Sequence, residues 1–339
     1  MSELNPNLPK VSDLPLVSVV ICTFNQQGFI RDTLDSVIAQ TYSNIEIIVS
    51  DDGSSDATPN ILREYAERYP DKVIAVLSET NTGIPANINR GMARRTGHYT
   101  AWLDGDDLML PTKIEKQVAF LQQHPEATGC YHDAEVFDSD TGQTLGAMSV
   151  LYNGSPELKQ GRLKDWMKPR YYFVPSSIMA HSAACPPHGF DERLKHLSEG
   201  LFFIEVFRDG LLLALNETLV RYRRHAQNVT SSQKARDLSA EYELMVYAIL
   251  DARYPELHDL VKRQRIACLL TEAVKCHREG DAARSRRIIG NVIKEGAPLK
   301  AALVYCGLRL MRQRAATITS GLPYQRPGWI NCIARSILE

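Results

Sequence analysis

With 339 residues, 44% of them hydrophobic and 23% charged, the chain has the composition of an ordinary globular protein, long enough for two domains or for one with an appendage. The net charge of −1 singles out no class of partner, and no nucleic acid is expected among them. No run approaches the roughly 18 to 20 apolar residues that cross a bilayer, and the N-terminus has no signal-peptide pattern, so a cytoplasmic protein with reduced cysteines is expected.

Residues 1 to 15 carry Pro6, Pro9 and Pro15 with few large apolar groups and read as a flexible N-terminal arm. Val17 to Cys22 is a β-branched run suited to a buried parallel strand, after which Ile30, Leu34, Val37 and Ile38 recur at helical spacing. The cycle repeats with a strand from Ile45 to Ser50, a helix marked by Ile61, Leu62 and Tyr65, a strand from Val73 to Leu77, a helix over 85–95 and a strand from Tyr99 to Leu103. Strands alternating with helices predict an α/β fold with a doubly wound, mostly parallel sheet. Pro111 reads as the first position of a further helix running to His124, Gly129 to Phe137 as a strand, and Phe173 to Met179 as a return strand.

Two of these strands end in acids. Ile45 to Ser50 runs into Asp51-Asp-Gly-Ser-Ser-Asp56, and the strand at Trp102 runs into Asp104-Gly-Asp-Asp107. Such strand ends are where open α/β sheets bind ligands, and two carboxylates on one small turn suit magnesium or manganese shared with a diphosphate. Both stretches also read as Asp-Gly turns with helix caps, and either acid pair alone leaves the choice open.

The blocks Val17 to Asn25, Ser50 to Thr58, Asn81-Thr-Gly83 with Asn89-Arg-Gly91, and Leu103-Asp-Gly-Asp-Asp107 together resemble, in order and spacing, the family 2 inverting glycosyltransferases of the GT-A fold. Weaker similarity continues to about residue 230. The resemblance implies a catalytic domain over 16–231, a nucleotide-sugar donor (UDP first, dTDP second), a Mn2+ or Mg2+ ion, and direct displacement at the anomeric carbon. It implies donor contacts from Thr23, Phe24, Asn25, Asp52, Gly83, Asn89 and Arg90, with Asp52 accepting from the uracil N3–H and Phe24 beside the base. Within the DxD motif, Asp104 is expected near the donor ribose or sugar and the metal, and Asp106 as metal ligand. Family members often have Ala-Arg-Asn where this chain has Asn87-Ile88-Asn89, and Arg90, Arg94 or Arg95 is the candidate replacement.

Further along, the family's Glu-Asp pair before an apolar helix aligns with Ser198 and Glu199, making Glu199 the expected catalytic base; a first-turn carboxylate favoured by the helix dipole is the competing reading. Arg221 to Asn228 resembles the family's closing Tyr-Arg-x-His block, implying His225 at the metal or diphosphate and Arg223 or Arg224 beside the diphosphate. His132 and Asp133 are the candidate acceptor contacts, with a core histidine equally consistent. The implied acceptor is a glycan or lipid-linked oligosaccharide hydroxyl, as in cell-surface polysaccharide synthesis.

Residues 236–253, 256–279, 281–296 and 298–314 read as helices with stops at Pro255, Gly280 and Pro298, forming an α-helical C-terminal extension over 232–339. From Arg284 onward the only acids are Glu295 and Glu339, and Leu299 to Met311, followed by Arg312 and Arg314, suits either core packing or peripheral contact with an anionic membrane. Two other functions compete. A nucleotidyltransferase requires a Gly-rich phosphate loop and a lysine after the first strand, which Thr23 to Gln27 lacks. A degenerate nucleotide- or sugar-binding module with a partner-recruiting tail is favoured by Ile88 and Ser198, and opposed by the intact Asp52, Asp104, Asp106 and Glu199.

Overall fold

The computed structural model describes residues 14–166, 173–195, 198–228, 233–300, 302 and 304. The expected N-terminal arm lies outside the described residues except for Leu14 and Pro15, as does most of the basic 298–314 helix. The chain divides into two compact units, Met1–Arg236 and Asp237–Glu339.

In the first unit β1 (Val17–Thr23), α1 (Ile30–Ile38), β2 (Ile45–Asp51), α2 (Thr58–Arg68), β3 (Val73–Leu77), α3 (Ile84–Met92) and β4 (Tyr99–Asp104) alternate strand with helix. The remainder comprises β5 (Leu108–Met109), α4 (Lys113–Gln123), β6 (Gly129–Asp138), β7 (Thr144–Ala147), α5 (Met148–Asn153), α6 (Leu163–Trp166), β8 (Met179–His181), α7 (Ser198–Val206) and β9 (Leu212–Arg224). The strands form one sheet in the order β3-β2-β1-β4-β8-β6-β9-β5, with β7 paired to β6. β3, β2, β1 and β4 are mutually parallel, as are β6 and β9. β8 is antiparallel to both β4 and β6, and β5 to β9.

Sequence periodicity accounts for the first layer. Val17, Val19 and Ile21 bury one face of β1 in the same core cluster as Ile30, Leu34 and Val37, which recur along one side of α1. Each such side chain stabilises the fold by about 1.5–3 kcal/mol when fully buried. The parallel register sets Cys22 opposite both Ser50 and Asp104, and Thr23 opposite Asp51. Three strands therefore end level, and their exit loops share one edge.

Two local expectations are corrected. Pro111 does not open a helix: its carbonyl accepts from Thr41 N at 2.9 Å, Thr112 is the N-cap and Lys113 begins α4. Phe173 to Met179 is not a continuous strand; Pro175–Ser177 is a 3-10 turn, with Ile178 N donating to the Pro175 carbonyl at 2.9 Å, and pairing begins only at Met179. The proline's fixed φ favours the turn. In addition, β9 is a 13-residue strand that periodicity did not announce.

The second unit holds most of α8 (Gln233–Arg253), then α9 (His258–Arg278) and α10 (Ala282–Lys294). Ile266, Leu269, Leu270 and Ala273 of α9 share a core with Ile289 and Val292 of α10. Asp281 caps α10 by accepting from Arg284 N at 2.8 Å. Among the described residues no helix is long and apolar enough to cross a membrane. Cys22, Cys130, Cys185, Cys268 and Cys276 are free thiols, and Cys306 and Cys332 lie outside the described residues.

Candidate active site

The level ends of β1, β2 and β4 gather the acids foreseen from their loops. Burial pushes the Cys22 thiol at the end of β1 well up, and so, in order, do the charges of Asp104, Asp106, Asp52 and Glu199. One side chain thus lies within electrostatic reach of all four carboxylates.

Asp52 is 3% exposed. Its carboxylate accepts from Gly83 N at 2.7 Å, Thr82 N at 3.1 Å, Thr82 Oγ1 at 2.9 Å and Arg90 Nη2 at 2.6 Å. Burial alone raises its pKa, but these hydrogen bonds outweigh it and hold the carboxyl below its ordinary value. Gly83 suits its place because its φ is +97°, a conformation that L side chains rarely adopt. Arg90, one of the three candidates for the missing family arginine, engages Asp52, Thr82 and Asn87. The β1 loop is fixed from the same side: the Thr23 carbonyl accepts from Asp52 N at 3.1 Å and Asn87 Nδ2 at 3.2 Å, and Asn25 exchanges hydrogen bonds with Ser54 and Ser55. Phe24, by contrast, stands 43% exposed at this rim.

The Asp104-Gly-Asp-Asp107 turn packs against β1. A Cβ on Gly105 would sit 2.9 Å from the Cys22 carbonyl, so the close approach requires glycine. Burial, followed by the charges of Asp106 and Glu199, raises Asp104 to about 7. Asp106 is 8% exposed; His225 Nε2 and Asn228 Nδ2 approach its Oδ2 at 2.8 and 3.3 Å. Asp107 faces inward, accepting from Ser176 Oγ at 2.6 Å and Arg223 N at 3.0 Å. Arg223 Nε donates to the Asp106 carbonyl at 2.7 Å, with its guanidinium over the Phe29 and Phe137 rings. The end of β9 is thereby locked onto the acidic turn.

Glu199 lies in the first turn of α7, and burial raises its pKa, partly offset by a hydrogen bond from its own backbone N–H. The remaining candidates make hydrogen bonds to other partners. Asn89 uses its amide on Phe190 N (2.7 Å), the Phe190 carbonyl (2.9 Å) and Glu192 (3.1 Å), tying α3 to the segment before α7. His132 is 2% exposed and pushed down to about 3 by burial and then by Lys113, with Nδ1 on the Asp133 carbonyl at 2.8 Å. Asp133 accepts from Ala134 N, Ser149 N and Ser149 Oγ, fastening the start of α5. Arg224 donates to the Tyr152 hydroxyl at 3.2 Å. Ser176, Asp107 and Asn228 were not foreseen in these roles; for Asn228 the available signal was a carboxamide three residues after His225.

Among the described residues no three His, Cys, Asp or Glu side chains form a metal-holding group. Asp106 with Asp104 nearby nevertheless fits a magnesium- or manganese-type cation, which commonly takes one or two protein carboxylates and completes its shell with phosphate oxygens and water.

Residues 18–176 match the family model described as Glycosyl transferase family 2. An uncharacterized glycosyltransferase of Haemophilus influenzae is 32% identical over 231 residues, which is 66% of this chain and 69% of that protein. The chain belongs to glycosyltransferase family 2. The family 2 chain spans 61% of the length of the uncharacterized mycobacterial relatives it also matches. In solved structures its fold is similar to that of Staphylococcus aureus TarS 1-349 in complex with UDP-GlcNAc (TM-score 0.62, 18% identity, covering 83% of this chain and 81% of that one). It is also similar to the mannosyltransferase PcManGT of Pyrobaculum calidifontis in complex with GDP-Man and Mn2+ (TM-score 0.58, 17% identity, covering 99% and 88%). The architecture is the GT-A fold, with a helical C-terminal region.

Proposed function

We propose that this family 2 protein is an inverting glycosyltransferase that moves a sugar from a nucleotide-sugar, with UDP the favoured carrier, to a hydroxyl of a glycan or glycolipid in cell-surface polysaccharide synthesis. The observation that carries the reading is the register that ends β1, β2 and β4 level, so that the Asp52 loop and the Asp104-Gly-Asp106 turn leave one edge of the sheet together. Asp104 and Asp106 on one turn repel each other, and a bound cation offsets that cost. The UDP-GlcNAc complex of TarS and the GDP-Man and Mn2+ complex of PcManGT lend support, since both share the fold.

In this reading the Asp52 loop and Phe24 receive the base, Asp104 lies by the ribose or sugar, and Asp106 and Asp104 hold a Mn2+ or Mg2+ ion. The cation, when bound, neutralises charge on the departing diphosphate. Glu199 takes the proton of the acceptor hydroxyl while its oxygen forms the new bond to the anomeric carbon and the bond from that carbon to the diphosphate oxygen breaks. Its raised pKa makes it a stronger base than an exposed glutamate. Attack opposite the leaving group inverts the anomeric centre. The test is nucleotide release from a panel of UDP-, dTDP- and GDP-sugars with candidate glycan and glycolipid acceptors. Acceptor-dependent release from one donor supports the reading, and none from any donor by folded protein sinks it.

A further inference from the structure

The outer half of α10, in the second unit, carries charge of one sign. Ser285, Ile289 and Val292 are buried, and the latter two share a core with α9. With about 100° of turn per residue, the opposite arc of the helix runs through Ile293, Arg286, Lys294 and Arg287, all of them exposed. The acids nearest in sequence are already engaged. Glu295 accepts from Arg265 Nη2 at 2.7 Å, Glu272 pairs with Arg284 at 3.1 Å, and Asp281 caps the helix. Arg286, Arg287 and Lys294 have no ion pair among the described residues. After α10 the chain turns at Gly296, whose φ is +84°, and a Cβ there would lie 3.6 Å from Lys262 Nζ. A fourth cation thus stands at this end of the helix.

Two aliphatic side chains lie uncovered in the same stretch. Ile293 is 51% exposed, and Leu299, just past the turn, is 73% exposed, more than any other large apolar side chain described. Cations alone suit any polyanion. Cations with bare aliphatic groups among them suit a surface that is anionic outside and apolar just beneath. We infer that this face of α10, with the turn that follows it, docks on an anionic membrane surface. The four cations meet lipid phosphates, while Ile293 and Leu299 enter the headgroup layer. α10 lies along the surface and does not enter it, because its apolar arc is spent on α9. The inference concerns the second unit alone and stands independently of the transferase reading.

The test is co-sedimentation of the full-length protein with vesicles of phosphatidylcholine, alone or mixed with phosphatidylglycerol, at low and high salt. Two double variants, Arg286→Gln with Arg287→Gln and Ile293→Ser with Leu299→Ser, are compared after thermal unfolding shows them folded like wild type. Wild type should bind the phosphatidylglycerol vesicles, bind phosphatidylcholine alone far less, and be released by salt. Each arginine near such a surface is worth about five-fold in partitioning, so the arginine variant should bind roughly 25-fold more weakly. The serine variant should lose at least about five-fold. Wild type that ignores phosphatidylglycerol overturns the inference. An arginine variant that binds like wild type does so too, by moving the contact elsewhere in the chain. A serine variant that binds like wild type also overturns it, since charge alone would then account for the binding, as it would for a nucleic acid.

Discussion

In residues 17–104 each of the first three strands is followed by a helix, and all four lie parallel to one another. The other side of the sheet, β8-β6-β9-β5, joins segments distant in the chain and runs in both directions. The first region places its acids by a local rule, since a parallel strand delivers whatever follows it to one edge. The second depends on long-range contacts: Asp107 meets Arg223 across 116 positions, and Asp106 meets His225 across 119. In the proposed reaction the nucleoside is received by the first region, and the base stands on α7, between β8 and β9 in the chain.

Glu199→Gln separates the two roles most sharply. Turnover should fall about 100- to 10,000-fold with nucleotide affinity unchanged. An equal loss of affinity, measured by calorimetry, would move Glu199 from chemistry to binding. In wild type, activity should decline toward acid with a midpoint above the ordinary glutamate value of about 4.3, because burial raises the Glu199 pKa.

The next largest effect is expected where β6 and β8 meet. A Cβ on Gly129 would lie 2.6 Å from the Met179 carbonyl and 2.8 Å from the Phe207 ring, so Gly129→Ala should cost about 1–3 kcal/mol by urea denaturation. In the first region nothing lies within 4 Å of a Cβ on Gly28, and Gly28→Ala should change stability by less than about 0.5 kcal/mol. Equal costs would erase the contrast.

Lys113 provides a pH signature beneath the second region. It is fully buried, donates to Gln117 Oε1 at 2.9 Å, and burial lowers its pKa to about 7 from 10.5. Between those values the unfolded chain holds a proton that the folded one does not, so stability should rise with pH by about 1.4 kcal/mol per unit. Below about 7 both states are protonated and the full penalty of burying the charge is present. Lys113→Met should remove this slope in denaturation curves across pH 7–10; a slope unchanged in the variant would assign it elsewhere.

The smallest effect is expected at Asp107, which burial and then the charges of Asp106 and Asp104 raise well above the carboxylate range. Asp107→Asn keeps an oxygen for Arg223 N and should alter stability at neutral pH by no more than about 1 kcal/mol. A loss of several kcal/mol would show that Arg223 and Ser176 require the charge.

Much of the first region was legible in the sequence because its signals are local. Asp52, Asp104 and Asp106 follow buried β-branched or aromatic strands, and their loops are short. β9 was harder to see: its apolar start, Leu212 to Leu215, is interrupted by Asn216 and Glu217 where the pairing with β6 shifts register. The 3-10 turn at Pro175 likewise displaced the return strand to Met179. Asn89 has the composition of a donor contact, yet its amide is spent on Phe190, 101 positions away. No window of sequence contains that partner.

Thermal unfolding with UDP, dTDP or GDP, each with and without Mn2+, tests the central claim most directly when run on wild type and Asp106→Ala. A nucleotide at a hundredfold its dissociation constant stabilises by about 2.7 kcal/mol. The account predicts a UDP shift that requires Mn2+ and disappears in Asp106→Ala. A folded wild type that no nucleotide stabilises with Mn2+ present would contradict it.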